Sequence, residues 1–220
     1  MPRTEQQSFV RKPLTWILGN NANLGVMREL CLHGQEMSRP HLAEKTGLAA
    51  SSVRDALFAL EEAGVVEQIG FQKSRLYRLS KVYPLLSAIE MLFRAEEDRF
   101  GLIRTSISKA ARQIRGVRAV WIYGSVARSE DAPRSDLDLA IVTTASVARL
   151  TESFRDALSP EAKRLEFSPS VVGLRLTDIE MLIVNDDPWW HDVLRDGIPV
   201  YGPPPRVVLR DLQAAAAIPA

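Results

Sequence analysis

The chain has 220 residues, which is enough for one large domain or two smaller ones. Its 28 basic and 27 acidic side chains give a formal net charge of +1, so any nucleic-acid surface must come from local clustering rather than from bulk charge. The single cysteine, Cys31, excludes an internal disulfide framework, and the absence of a bilayer-spanning apolar run or a signal-peptide core predicts a cytoplasmic protein with no membrane partner.

The first third of the chain has the pattern of short helices followed by a hairpin. Helix caps and the spacing of apolar residues predict helices at about 23–34, 38–47 and 49–64. Two alternating segments, 65–69 and 74–79, predict a pair of strands around a short turn. The order is typical of a helix-turn-helix with a hairpin wing.

Three residues have the properties that a helix-turn-helix requires. The small Ala43 lets two helices approach closely, Gly47 permits a sharp turn between them, and Val53 can fill the apolar space between the helices. On these residues and the hairpin, residues 20–80 resemble bacterial winged-helix regulators. The resemblance implies that the third helix enters the major groove of double-stranded DNA and that the wing meets phosphates. The implied contacts are Ser51, Ser52 and Arg54 in the helix and Lys73, Arg75 and Arg78 in the wing.

The charge of this segment leaves a second interpretation open. Residues 20–80 contain seven basic and seven acidic side chains, so they lack the positive field of a tight DNA binder. A winged helix can also be a protein-docking module, whose charged residues form an ordinary solvated face.

A long helical segment follows, with apolar residues along one side. Such a helix would connect two domains or pair with a copy of itself in a homodimer. We therefore expect a winged helix-turn-helix domain at 1–82, a linking helix at 83–115, a second domain at 116–202 and a peripheral tail at 203–220.

The second domain begins with a strand that leads directly into a helix. Residues 117–123 are β-branched and aromatic, and Gly124 precedes a segment that can start a helix. Such a junction gathers unpaired backbone N–H groups and the positive end of a helix dipole, which suits a triphosphate. Gly124 would let a phosphate approach, the Ser125 hydroxyl would donate to it, and Arg128 could reach a phosphate or pair with a nearby carboxylate.

Two carboxylates, Asp136 and Asp138, lie two residues apart at the start of an apolar segment. In a strand both face the same way, with Cα atoms about 6 to 7 Å apart, while Leu137 and Leu139 face the core. Mg²⁺ prefers oxygen ligands and keeps several waters, so two carboxylates and triphosphate oxygens can complete its shell. The pattern predicts Mg²⁺ (or Mn²⁺) at Asp136 and Asp138, with a nucleoside triphosphate (NTP) as substrate.

Together, Gly124-Ser125 and Asp136-Leu137-Asp138 resemble the signature of the DNA polymerase beta-type nucleotidyltransferase superfamily, and the Gly-Ser-x-Ala-Arg-Ser form resembles its small bacterial minimal nucleotidyltransferases. The resemblance covers about residues 100–202. It implies an α+β fold with a mixed sheet flanked by helices, and transfer of a nucleoside monophosphate to a protein, tRNA or small-molecule acceptor. It also implies a toxin–antitoxin or defence setting.

The resemblance implies a third carboxylate on a later strand, within residues 165–174. The aligned position is Ser168, which cannot act as a base or an anionic ligand. Glu166 would lie on the same strand face and could replace it as a catalytic residue, or could be an exposed edge-strand glutamate. Pro169 favours an edge or bulged strand.

Two functions therefore stay open. One is an active nucleotidyltransferase coupled to a DNA-binding winged helix. The other is a DNA-binding transcriptional regulator or antitoxin whose transferase-like domain only binds nucleotide or is inactive.

Overall fold

The computed structural model describes residues 8–71 and 75–216, with side chains to residue 214. The chain divides into two compact units, Met1–Asp98 and Arg99–Ala220. Helices combined with an antiparallel and a mixed sheet confirm the predicted α+β class.

Unit 1 contains short helices and a small antiparallel sheet of strand order β1-β3-β2. Its helices are α1 (Leu14–Ile17), α2 (Asn21–His33), α3 (Arg39–Thr46), α4 (Ala50–Glu62) and the first part of α5 (Leu86–Gln113), and its strands are β1 (Met37–Ser38), β2 (Val66–Ile69) and β3 (Leu76–Leu79). Helices α2 and α3 each end at a glycine in the left-handed conformation, Gly34 and Gly47, because glycine enters that conformation without a Cβ clash.

The core of unit 1 forms where α4 packs against the neighbouring helices. Val53, the predicted apolar plug, is fully buried, as is Leu60 two turns further along α4. The side chain of Ser38 caps α3 by accepting from the backbone N–H of His41. These elements have the chain order that a winged helix requires, and that assignment remains a prediction.

Unit 2 is built on a four-stranded mixed sheet of order β6-β5-β4-β7. Its elements after α5 are β4 (Val117–Tyr123), α6 (Gly124–Ala127), β5 (Leu137–Thr143), α7 (Val147–Leu165), β6 (Pro169–Arg175), α8 (Leu176–Val184), α9 (Pro188–Asp196), β7 (Ile198–Tyr201) and α10 (Pro205–Ala216). The β5 and β6 strands are parallel, and the other pairs are antiparallel.

The two faces of this sheet bury separate apolar clusters. Leu139 of β5 packs with Ile107 of α5 and Phe154 of α7 on one face. Trp121 of β4 packs with Trp190 of α9 on the other face, with ring centroids 5.9 Å apart. Because side chains alternate along a strand, Asp138 belongs to the face of Trp121 and not to the face of Leu139.

The expectation of a peripheral tail after residue 203 is wrong for the described residues. Helix α10 carries the buried Val208, which packs in the cluster of Trp121. The indole N–H of Trp121 also donates to the carbonyl of Pro203 at 2.8 Å. The alanine-rich composition suggested a peripheral segment, but the apolar side of α10 covers the second face of the sheet.

Within residues 8–71 and 75–216, no helix combines the length and the apolar character needed to cross a bilayer.

The burial of α10 predicts unequal effects of the same substitution at two valines. We expect Val208→Ala to lower the free energy of unfolding of unit 2 by about 2 kcal/mol, because it leaves a cavity in the Trp121 cluster. Val184→Ala removes the same atoms from a residue that is 84% exposed, so a change within about 0.5 kcal/mol is expected. Chemical denaturation followed by tryptophan fluorescence measures both; equal effects would contradict the packing of α10.

Candidate functional site

The ends of the two central strands meet at Gly124. Tyr123, the last residue of β4, is paired with Asp138 of β5, so the chain turns directly beside the aspartate. Gly124 has a φ of 74°, and a Cβ atom there would lie 3.2 Å from the Asp138 Cγ and closer still to Oδ2. Glycine is therefore required by backbone conformation and by space.

The two aspartates lie at the start of β5. Asp136 is exposed immediately before β5, and Asp138 is half-buried within it. Leu137 and Leu139, the alternate residues, are buried in the cluster on the opposite face. Both carboxylates thus lie at one sheet end beside the Gly-Ser turn.

The helix after Gly124 is shorter than the sequence suggests, since α6 is a single turn of four residues. Its first N–H groups lack acceptors within the helix, as in any helix. The dipole of a single helical turn is small. The N-terminus of α6 would therefore contribute less to anion binding than the N-terminus of the longer helix that the sequence predicts.

Arg128 pairs with a nearby carboxylate, which is the second of the two roles expected for it from the sequence. Its Nε donates to Glu130 at 2.7 Å, and this hydrogen bond, with the nearby charge of Asp196, raises the pKa of the guanidinium. The side chain is thus held by a neighbouring carboxylate.

The prediction that Glu166 lies on the strand face of the aspartates is wrong. Helix α7 continues to Leu165, and Glu166 is its C-cap in the left-handed conformation, with a φ of 51°. The carbonyl of Glu166 accepts from Arg99 Nη2 at 2.9 Å. The strand begins only at Pro169, because the chain must first leave the helix.

The register of the parallel strands identifies the residues that lie beside the aspartates. Asp138 is opposite Ser170, and the N–H of Leu137 donates to the carbonyl of Ser168 at 2.7 Å. Neither serine carries a charge. Sequence reasoning reached Ser168 but missed Ser170, since only the register reveals which residue pairs with Asp138. The edge position predicted from Pro169 is correct.

An aromatic pair, also missed from the sequence, borders this site. The ring of Tyr123 meets that of Trp189 edge to face, with centroids 5.1 Å apart. Burial raises the pKa of Tyr123, and the charge of Asp138 adds to the increase. The phenol therefore stays neutral at physiological pH.

Comparison with known proteins gives a direct match to this part of the chain. Residues 105–202 match the family described as Polymerase beta, Nucleotidyltransferase. This match shows a polymerase beta-type nucleotidyltransferase domain in unit 2.

Solved structures include weaker likenesses to this chain. A toxin–antitoxin crystal structure with AMP-PNP is 16% identical with a TM-score of 0.36, covering 52% of this chain and 90% of that chain. A mutant of the toxin–antitoxin MntA-HpeT is 14% identical with a TM-score of 0.35 and the same coverages, 52% and 90%. No curated protein gives a significant match.

The residues implied in DNA binding lie in unit 1, and several already have partners. Ser51 is exposed and Ser52 half-buried at the start of α4. The exposed Arg54 donates to Asp55 at 2.9 Å. Arg78 donates to Glu67 at 2.6 Å and to Glu36 at 3.4 Å, which raises its pKa. Arg75 is exposed, and Lys73 lies outside the described residues.

The contact between Gly124 and Asp138 in the nucleotidyltransferase domain is testable by a double-mutant cycle. We expect Gly124→Ala to destabilise unit 2 by more than the ~1 to 2 kcal/mol of a left-handed alanine, because the methyl group meets the carboxylate. Adding Asp138→Ala should recover at least about 0.5 kcal/mol of that cost. Denaturant unfolding monitors each variant.

Gly34→Ala is the matched control for that cycle. Gly34 has a φ of 61° and nothing within 4 Å of the added Cβ, so only the conformational cost is expected. Strictly additive costs of Gly124→Ala and Asp138→Ala would argue against the contact.

Proposed function

We propose that this chain is a nucleotidyltransferase that uses Mg²⁺ (or Mn²⁺) to transfer a nucleoside monophosphate from an NTP to an acceptor. The contact between Gly124 and Asp138 carries the proposal, because it gathers the Gly-Ser turn and the carboxylates at one point. The family matched by residues 105–202 supports a nucleotide substrate.

The ligand chemistry fits a metal that arrives with its substrate. Asp136 and Asp138 offer hard oxygen donors, and no group of three or more His, Cys, Asp or Glu that could hold a metal occurs within residues 8–71 and 75–216. Two carboxylates therefore suit Mg²⁺ that also takes triphosphate oxygens and waters. When bound, Mg²⁺ would lower the pKa of the attacking hydroxyl and neutralise charge on the departing pyrophosphate.

The remaining roles belong to the turn between β4 and α6. Gly124, without a side chain, leaves room for the Asp138 carboxylate beside the turn. The Ser125 hydroxyl would donate to a phosphate oxygen. Arg128 would join only by leaving Glu130, so we give it a secondary role.

Loss of both aspartates should abolish transfer. We expect Asp136→Asn/Asp138→Asn to reduce labelled-NTP transfer by about 10²-fold or more, since the metal would lose its protein ligands. Each NTP is incubated with Mg²⁺ and with protein, tRNA and small-molecule acceptors. Glu180→Gln/Asp211→Asn removes the same charge at exposed positions and should retain activity. If the protein binds NTP but transfers nucleotide to none of these acceptors, the proposal that it is a nucleotidyltransferase is wrong.

A second function is favoured by the serines beside the aspartates. Ser168 and Ser170 lie where a third carboxylate would complete the site, and Glu166 lies off the strand. The chain would then be a DNA-binding transcriptional regulator or antitoxin whose transferase-like domain binds nucleotide without turnover. The assay of labelled-NTP transfer separates the two functions.

In either function we propose that residues 1–82 form a winged-helix domain that binds double-stranded DNA, joined to the nucleotidyltransferase-like domain by a linking helix at 83–115. The buried Val53 and the turn at Gly47 support the helix-turn-helix assignment. Exposed Arg54, which pairs with the equally exposed Asp55, and exposed Arg75 are the best placed cations, whereas Arg78 is held by two glutamates.

Binding to DNA should weaken when either exposed arginine is removed. We expect Arg54→Ala and Arg75→Ala to reduce affinity, with the slope of log K against log salt falling by about 0.9 for each phosphate that the protein no longer neutralises. Arg94→Ala on α5 removes an equal charge and should have no effect. Gel shifts over a salt series measure these changes; unchanged shifts in both variants would count against the helix and wing assignment.

A further inference from the structure

A cluster of cations lies at the end of the unit 2 sheet that is farthest from the aspartates. No Asp or Glu occurs from residue 99 to residue 129 or from residue 139 to residue 151. These segments contain the end of α5, the start of β4, the end of β5 and the start of α7. The five exposed cations at this end, which we call the basic patch, are Lys109, Arg112, Arg115, Arg118 and Arg149.

Two turns that touch each other bring these cations together. Gly116, between α5 and β4, has a φ of 95°, and a Cβ atom there would lie 2.9 Å from the Cβ of Ala145 in the turn between β5 and α7. The carbonyl of Gly116 also accepts from the N–H of Thr144 at 3.0 Å. Arg115 therefore lies beside the start of α7, where Arg149 occupies the first turn.

A β-bulge adds Arg118 to the basic patch. Val117 pairs with Thr143 and Ala119 pairs with Val142, so Arg118 is the extra residue between the two pairs. Both of its neighbours are buried, whereas Arg118 is exposed. A bulge redirects the side chain of its extra residue, and here it places a guanidinium group at the end of the sheet.

The charges of the basic patch are not compensated by carboxylates. Within residues 8–71 and 75–216, none of its five cations forms an ion pair with an Asp or Glu. By contrast, Arg164, Arg195 and Arg210 of the same unit each pair with a carboxylate. Like charges held close together repel one another, so an anionic partner that binds here would relieve the repulsion.

The surroundings of these cations fit a phosphate backbone better than a protein or a membrane. Residues 103–171 are all described, and they include no exposed large apolar side chain. Protein interfaces have an apolar centre, and helices that lie on membranes present apolar anchors. Arginine donates two N–H groups to phosphate oxygens, and the exposed hydroxyl groups of Thr144 and Ser146 can also donate to them.

The absence of a stacking surface favours a duplex over a single strand. Within the same described residues, 103–171, no aromatic side chain is exposed. Proteins that bind single strands stack the unpaired bases on aromatic rings, whereas a duplex presents its phosphates without such a contact.

We infer that the basic patch binds the phosphate backbone of double-stranded DNA, as a second contact besides the one proposed for residues 1–82. The choice of DNA over duplex RNA rests on that proposed function. Strand β4 separates the patch from the Gly-Ser turn by about 20 Å, since its seven residues run from Val117 to Tyr123. The patch is therefore distinct from the site proposed for nucleotide transfer.

The test compares three full-length variants with the wild-type chain on a fluorescein-labelled DNA duplex of about 20 base pairs, which is two helical turns. Arg112→Gln/Arg115→Gln/Arg149→Gln changes the patch, Arg54→Ala/Arg75→Ala changes the surface proposed in unit 1, and the third variant combines them. We expect the patch variant to weaken binding about tenfold or more and to lower the salt slope by about 0.9 for each phosphate that it no longer neutralises. The loss should be the same factor for unrelated DNA sequences, because phosphate contacts carry no base information.

The control removes the same charge from three paired arginines of unit 2, as Arg164→Gln/Arg195→Gln/Arg210→Gln. It should leave the affinity for DNA within about twofold. An equal loss of affinity in the patch and control variants would overturn the site.

The separate variants distinguish failure of this inference from failure of the DNA binding proposed for unit 1. If Arg54→Ala/Arg75→Ala weakens binding and the patch variant does not, the patch is rejected and the proposed function of residues 1–82 stays. If only the patch variant weakens binding, the patch is confirmed and the helix and wing assignment is wrong. Stronger patch-dependent binding to duplex RNA, polyglutamate or phosphatidylserine vesicles than to DNA would overturn the choice of DNA, as would an absence of DNA binding by the wild-type chain.

Discussion

The arrangement of unit 2 depends on the antiparallel register of β4 and β5. That register sets Tyr123 opposite Asp138 and makes the chain turn at Gly124, directly against the aspartate. A slip by one residue would exchange the two faces of β5 and place Leu139 where Asp138 now lies. The positions of Asp136 and Asp138 thus depend on how the apolar residues of β4 and β5 are buried.

Two apolar clusters fix this register. Leu139 is fully buried on one face with Phe154, and Trp121 is fully buried on the other. Burying a large apolar side chain contributes about 1.5 to 3 kcal/mol, so a slip that exposes several of them is strongly unfavourable. Helix α10 adds to this constraint, because it covers the cluster of Trp121 with Val208.

The strand beside β5, which is β6, contributes no carboxylate next to the aspartates. Its parallel register brings Ser168 and Ser170 beside the aspartates, so the neighbouring positions supply hydroxyls and no charge. Glu166 instead ends helix α7, three residues before β6 begins. The carboxylate that the sequence suggested as a third catalytic residue therefore lies off the strand beside the aspartates.

The sequence by itself determined the local elements: the strand before Gly124, the turn at Ser125, the aspartates with the buried Leu137 between them, and the edge position of Pro169. These follow from glycine conformation, proline's missing N–H and alternating burial, which act over a few residues. Only the tertiary structure decided the place of Glu166, the pairing of Ser170 with Asp138 and the packing of α10. Those depend on where helices end and how distant strands align, and packing across the sheet sets both.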